Sequence, residues 1–132
     1  MIILIDVTDR RDKFFDASYK VLQGASQKIF DGYILAGAVL DIYYIIRKST
    51  GDTQKARQTI KDITQLAGVC DTKASDVSVA LTLDMPDFED AIVAAAAKRE
   101  KADCIITRNT RDFINSPVPA LTPDEFISKL SS

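Results

Sequence analysis

The sequence contains no histidine, and this absence excludes several kinds of catalytic site. Ser-His-Asp triads, Cys-His nucleophiles and histidine-ligated zinc sites all require an imidazole ring. Any acid–base or metal chemistry in this chain must therefore come from carboxylates.

Cysteine is scarce, and no apolar run is long enough to cross a membrane. Cys70 and Cys104 lie far apart, and each begins or ends an apolar run, so we expect buried, reduced thiols in a cytoplasmic protein. Residues 1–5 are apolar but lack a basic region and are followed at once by Asp6. This pattern predicts a strand rather than a signal peptide or a membrane span.

The composition is that of one globular domain, which we expect to cover residues 1–132. A net charge of −2 is unusual for a protein that binds nucleic acid. The basic residues are clustered, however, at Arg10-Arg11, Arg47-Lys48, Lys98-Arg99 with Lys101, and Arg108 with Arg111.

Predicted strands alternate with predicted helices along the whole chain. The strands cover 2–5, 33–36, 68–70 and 104–106, and the helices cover 14–30, 37–48, 53–66, a segment capped by Thr72, 87–101, and a segment from 123 onwards. We expect Asp52 to cap one helix, and Thr122 with Glu125 to form a capping box. The helix at 37–48 is apolar almost all round, which predicts burial on more than one side. The alternation predicts an α/β fold with a parallel sheet.

Acidic residues recur just after the predicted strands or on the helices that follow them. They are Asp6, Asp41, Asp87 with Glu89 and Asp90, and Asp112. In a parallel sheet these positions can face one crevice, where several carboxylates repel one another unless a cation lies between them. Ligation by oxygen alone favours Mg²⁺ or Mn²⁺.

Four motifs together resemble the PIN-domain family, and in particular its bacterial members similar to VapC toxins. The motifs are Ile3-Leu4-Ile5-Asp6, Ile42-Tyr43-Tyr44-Ile45-Ile46-Arg47-Lys48, Asp87-Phe88-Glu89-Asp90-Ala91-Ile92, and Ile105-Ile106-Thr107-Arg108-Asn109 with Asp112-Phe113. The resemblance implies a three-layer α/β/α sandwich and a ribonuclease dependent on Mg²⁺ or Mn²⁺. It also implies the toxin role in a toxin–antitoxin pair, with RNA as substrate and an antitoxin protein as partner.

The resemblance assigns roles to residues by position. The four family acids, taken as catalytic, fall on Asp6, Asp41, Asp90 and Asp112. Asp6, Asp90 and Asp112 would hold the metal, with Asp87 as an additional acid one helical turn before Asp90. Supporting polar side chains would be Thr8, Thr107 and Asn109, and RNA phosphates would meet Arg10, Arg11 and Arg108. The adjacent Tyr43 and Tyr44 predict core and homodimer contact rather than base stacking.

Two departures from the family pattern leave a second interpretation open. Asp41 stands where the family usually has glutamate, and Thr8 is followed directly by polar residues rather than by an apolar helical turn. Both favour a PIN-like module that binds RNA or a protein without cleaving. A receiver-type phospho-acceptor domain is a weaker alternative. Such a domain requires an acidic pair after the first strand, where Asp6 is a single acid, and a lysine at the end of a late strand, where Thr107-Arg108 stands instead.

Overall fold

The computed structural model of the chain describes residues 1–6, 21, 24, 27 and 29–130. The helix predicted at 14–30 lies largely outside these ranges, as do Thr8, Arg10 and Arg11.

The centre of the fold is a five-stranded sheet in which every strand pair is parallel. Its strands are β1 (Ile2–Ile5), β2 (Asp31–Leu35), β3 (Gly68–Cys70), β4 (Cys104–Ile106) and β5 (Ala120–Leu121), in the spatial order β3-β2-β1-β4-β5. The central strands are apolar on both faces, and Ile3, Ile34 and Ile105 have no exposed surface. Such strands need cover on both sides, which agrees with the predicted parallel sheet.

Helices supply that cover. They are α1 (Ala36–Thr50), α2 (Thr53–Leu66), α3 (Ala74–Ala80), α4 (Phe88–Arg99) and α5 (Pro123–Leu130), with a short 3₁₀ helix at Thr110–Phe113. The chain crosses the sheet in one direction from β2 to β3 and returns from β3 to β4. Because parallel crossovers are right-handed, these two connections lie on opposite faces. The result is the expected α/β/α arrangement.

Helix α1 departs in part from its prediction. It begins at Ala36 and is buried along one stripe, Ala38, Ile42 and Ile46, whereas Leu40 is 58% exposed and Tyr44 is 54% exposed. Burial on more than one side is confirmed, because α1 packs on both the sheet and α2, but the rest of its apolar surface, including Leu40 and Tyr44, lies in solvent. Tyr43 contacts the core and meets the Tyr44 ring edge-on at 5.5 Å.

Local signals at helix ends were read correctly in two cases. The Asp52 carboxylate accepts hydrogen bonds from the backbone N–H groups of Gln54 and Lys55, at 3.0 and 3.2 Å. Thr122 and Glu125 form the predicted reciprocal box.

Both cysteines are buried free thiols, and burial raises the pKa of each to about 11.

Candidate functional site

Asp6 lies at the point where the order of the sheet reverses. Strand β1 has β2 on one side and β4 on the other, and Asp6 directly follows β1. The Asp6 backbone N–H donates to the Ile106 carbonyl at 2.8 Å, which holds the residue against the end of β4. Its side chain is only 9% exposed. In open parallel sheets the crevice at this position is the usual ligand site.

A buried threonine orients the Asp6 carboxylate. Thr107 follows β4, is 2% exposed, and donates from its hydroxyl to Asp6 Oδ2 at 2.9 Å. The Thr107 hydroxyl oxygen in turn accepts the backbone N–H of Asn109 at 3.1 Å. A hydroxyl has a single proton, so acceptance from Asn109 leaves that proton for Asp6. The polar turn after β4 thus lies against the first acid, through the Thr107 side chain and the Asn109 backbone.

The first turn of α4 brings two more acids to this edge. Asp87 is the N-cap, and its carboxylate accepts the backbone N–H of Asp90 at 3.0 Å. Asp90 itself is 8% exposed. The predicted helix at 87–101 therefore begins one residue later and ends at Arg99, with Asp87 outside it as the cap.

The pKa of the Asp90 carboxyl is raised well above its ordinary value. Burial raises its pKa to about 7, and four neighbouring carboxylates add to the rise by repulsion, those of Asp6, Asp87, Asp112 and Glu89. Asp112 reaches this group from the 3₁₀ helix, where its backbone N–H donates to the Asn109 carbonyl at 3.0 Å and the neighbouring Phe113 is buried. The structure therefore brings together acids from three separate segments of the chain.

Asp41 occupies a neighbouring place. It is half-buried on α1 and is not one of the four carboxylates named above. Together with Glu89 it lines a cavity of about 310 Å³ between α1 and the start of α4. Glu89 thus stands between the Asp90 cluster and the Asp41 cavity.

The donor set suits a hard divalent cation in its chemistry, since the described side chains gathered here contribute carboxylate and hydroxyl oxygens. A bound cation would reduce the repulsion that the neighbouring carboxylates exert on the ionised Asp90 carboxyl. Within residues 1–6 and 29–130, however, no three acidic or cysteine side chains are gathered closely enough to form a ready-made metal-binding group. The carboxylates are near enough to repel one another but would have to move closer to share an ion.

Arg108 is half-buried on the turn between Thr107 and Asn109, and it already interacts with another part of the molecule. The predicted partners Thr8, Arg10 and Arg11 lie outside the described residues. Of the three arginines predicted to contact RNA, the described residues therefore include Arg108 alone, which lies beside the acidic cluster.

Two contacts near the site differ from the sequence prediction. Thr72, expected to cap α3, instead accepts the backbone N–H of Gly37 at 3.0 Å, at the start of α1. That expectation was wrong, because the Asp76 carboxylate takes the Lys73 N–H at 2.9 Å. The Gly37–Thr72 contact joins residues that are 35 positions apart, whereas the Lys73–Asp76 contact lies within one helical turn.

Arg99 is committed to an internal ion pair rather than to a surface basic cluster. Its Nε and Nη2 donate to the two carboxylate oxygens of Asp76 at 2.9 and 3.0 Å, and Nη2 also donates to the Asp71 carbonyl at 2.6 Å. Asp76 is 2% exposed. Burial opposes its ionisation, but hydrogen bonds from Arg99 and Lys73 outweigh burial, and the pKa of Asp76 lies below its ordinary value. The pair fastens α3 to the end of α4.

Three solved structures have similar folds. VapBC2 from Rickettsia felis, bound to a DNA fragment from its promoter, has a TM-score of 0.71 and 16% identity, over 92% of this chain and 98% of that chain. FitAB bound to an IR36 DNA fragment has a TM-score of 0.66 and 16% identity, over 92% of this chain and 94% of that chain. A toxin–antitoxin complex from Klebsiella pneumoniae has a TM-score of 0.64 and 18% identity, over 92% of this chain and 97% of that chain. At these identities the likeness shows a shared fold.

A comparison with curated protein sequences finds no significant match. In the described part of the chain, no helix has the length and apolar character needed to span a bilayer. The family model for the PIN domain matches residues 2–111, which is most of the chain. The protein therefore belongs to the PIN domain family.

Proposed function

We propose that this protein is a ribonuclease that depends on Mg²⁺ or Mn²⁺ and hydrolyses RNA phosphodiesters. The observation that carries the proposal is the crowding of negative charge on the buried Asp90 carboxyl, whose pKa is raised to about 7. Repulsion among carboxylates in a crevice lowers the stability of the fold, and carboxyl groups with pKa values perturbed in this way cluster at functional sites. Membership of the PIN domain family agrees with this interpretation.

In this proposal Asp6, Asp90 and Asp112 hold the ion, and Asp87 supports them from the cap position. A divalent ion there would activate water and stabilise charge on the phosphate oxygens. The Thr107 hydroxyl keeps one Asp6 oxygen occupied and so fixes the direction in which the other points. Arg108, with Arg10 and Arg11, would contact RNA phosphates, and Asp41 remains a predicted fourth catalytic acid.

We further propose that the protein is the toxin of a toxin–antitoxin pair in the cytoplasm, with a cognate antitoxin as partner and a homodimer as its assembly. Support comes from the structures of similar fold, one of which is a toxin–antitoxin complex and two of which contain DNA. The exposed Leu40 and Tyr44 on α1 offer apolar surface for a protein contact.

Cleavage of single-stranded RNA in the presence of Mn²⁺ tests the nuclease proposal. We expect the parent protein to cleave, and Asp6→Asn, Asp90→Asn and Asp112→Asn to lose at least a hundredfold in rate, because an amide cannot balance the charge of the metal. Asp124→Asn, an exposed acid in the first turn of α5, is the matched control and should keep full activity. Cleavage that persists in Asp6→Asn would assign the activity to another site or to a contaminant.

A PIN-like module that binds without cleaving is the second candidate. It is favoured by the lack of a ready-made three-ligand group among residues 1–6 and 29–130. This candidate predicts no cleavage by the parent and no stabilisation by Mn²⁺.

A further inference from the structure

The first turn of α1 receives its cap from a distant part of the chain. Leu35 precedes the helix and makes no side-chain hydrogen bond to it. A helix start usually receives such a bond at its second or third backbone N–H group. Here the hydroxyl oxygen of Thr72, in the loop between β3 and α3, accepts the N–H of Gly37, the second residue of α1, at 3.0 Å. Thr72 therefore takes the part of a cap that the local sequence does not provide.

Gly37 leaves the room that this contact needs. A Cβ atom at residue 37 would lie 3.2 Å from the Thr72 hydroxyl oxygen, which is closer than most Cβ contacts. Glycine within a helix costs about 1 kcal/mol relative to alanine. The close approach of Thr72 accounts for a glycine at a position where alanine would favour the helix.

The loop that carries Thr72 is held on both sides of that residue. The preceding Asp71 carbonyl accepts from the Arg99 guanidinium at 2.6 Å, and the following Lys73 N–H donates to the Asp76 carboxylate at 2.9 Å. Arg99 and Asp76 are also paired with each other. Thr72 therefore fastens the start of α1 to α3 and to the end of α4.

We propose that Thr72 is a positioning residue which, through its hydrogen bond to the Gly37 N–H, fixes the place of the predicted catalytic acid Asp41. Gly37 and Asp41 are four residues apart on α1, and this spacing puts them one turn apart on the same face. Thr72, Gly37 and Asp41 all line the cavity of about 310 Å³ between α1 and the start of α4. Holding residue 37 therefore fixes Asp41 on the wall that it shares with Glu89.

The place of α1 matters more for an aspartate than for a longer acid. The Asp41 carboxylate extends one methylene less than the glutamate usual at this position, so its side-chain torsions cannot compensate for a displaced helix. This inference rests on the proposed nuclease function for the catalytic role of Asp41. The positioning contact itself is present without metal or RNA and can be measured separately.

NMR of the protein in EDTA tests the contact, with the amide exchange of Gly37 and the carboxyl carbon resonance of Asp41 as readouts. Thr72→Val keeps the branched shape but has no acceptor. We therefore expect the Gly37 amide to exchange about tenfold faster and the Asp41 resonance to move. Thr72→Ser keeps the hydroxyl and should restore both. The matched control Thr59→Val removes a hydroxyl hydrogen bond on the exposed face of α2 and should change neither.

Gly37→Ala separates positioning from stability. Its methyl group would press on the Thr72 hydroxyl, whereas alanine itself favours the helix. We expect the Asp41 resonance to move, as in Thr72→Val, while the melting temperature does not fall. Thr72→Val should lower the melting temperature slightly, because it removes a cap.

Cleavage of single-stranded RNA with Mn²⁺ tests whether the contact serves the reaction. We expect Thr72→Val to lower kcat about tenfold and to leave KM within about twofold, because a misplaced catalytic group affects the chemical step. Thr72→Ser and Thr59→Val should keep the rate of the parent. In the Asp41→Asn background, Thr72→Val should cause no further loss, since it acts through Asp41.

An Asp41 resonance that stays unchanged in Thr72→Val would overturn the inference, as would losses of activity that add in the double variant. An Asp41 resonance that moves in Thr72→Val and returns in Thr72→Ser, in a protein that does not cleave RNA, would support the positioning contact while refuting the nuclease proposal. Cleavage by Thr72→Val at the rate of the parent would refute this inference and leave the nuclease proposal standing.

Discussion

At the scale of the residue, opposing influences act on the Asp90 carboxyl. The start of α4 favours a negative charge by about 0.3–1 kcal/mol. Burial and the neighbouring carboxylates disfavour it, and they raise the pKa from 3.8 to about 7, which corresponds to several kcal/mol. The unfavourable free energy from repulsion and burial therefore exceeds the favourable free energy from the helix dipole. The ionised Asp90 carboxylate consequently destabilises the metal-free protein.

This balance predicts how stability depends on pH. The folded-state pKa of Asp90 is raised, so the destabilisation is absent below about pH 4, develops as pH rises, and is complete above about pH 7. We expect Asp90→Asn to raise the melting temperature in EDTA by several degrees at pH 8 and to change it little at pH 4. Thermal unfolding by circular dichroism measures both, with Asp124→Asn as control. A difference that is the same at the two pH values would contradict this account of Asp90.

At the scale of the element, features that depend on contacts between neighbouring residues were predicted accurately, whereas features that depend on contacts between distant residues were not. Helix α2 was predicted at its observed bounds, because Asp52 caps it from within its own turn. Strands β1, β3 and β4 were also predicted at their observed bounds. Thr72 was misassigned because its partner, Gly37, is 35 residues away. The pairing of Asp76 with Arg99 also lay beyond local pattern, whereas the proximity of Asp6, Asp90 and Asp112 was predictable from their positions after a strand or at the start of a helix.

The Asp76–Arg99 pair makes α4 sensitive to changes at its end remote from Asp90. We expect Arg99→Met to destabilise the fold by about 3 kcal/mol, because it leaves the buried Asp76 carboxylate without its guanidinium. The double variant Asp76→Leu/Arg99→Met should recover part of that loss. Urea unfolding measures these changes, with Lys98→Met, at an exposed neighbouring position, as control. If Arg99→Met and Lys98→Met cost the same, the pair contributes little to stability.

At the scale of the whole molecule, the sheet collects the acids from distant parts of the sequence. Reversal of the strand order beside β1 places the ends of β1 and β4 together, and the return crossover brings the start of α4 to the same edge. What strand order could not reveal is that Asp41 lines a cavity of its own with Glu89, since that depends on how α1 and α4 pack.

Metal binding should be visible in the melting of the whole protein. A divalent ion that binds only the native state stabilises it by mass action, by about 2.7 kcal/mol at a hundredfold excess over its dissociation constant. We therefore expect Mn²⁺ at pH 7.5 to raise the melting temperature of the parent and of Asp124→Asn, and to leave that of Asp90→Asn nearly unchanged. Equal shifts in the parent and in Asp90→Asn would place metal binding elsewhere.

The hydrogen bond from Thr107 to Asp6 joins residues that are 101 positions apart. During synthesis Asp6 leaves the ribosome early, whereas Thr107 and Asp112 emerge only after every helix from α1 to α4. An N-terminal fragment, however well it collapses, has neither the hydroxyl that orients Asp6 nor the acid that faces it from the 3₁₀ helix. The acidic site is therefore assembled late, and a nascent chain remains without it until nearly all of the sheet has been translated.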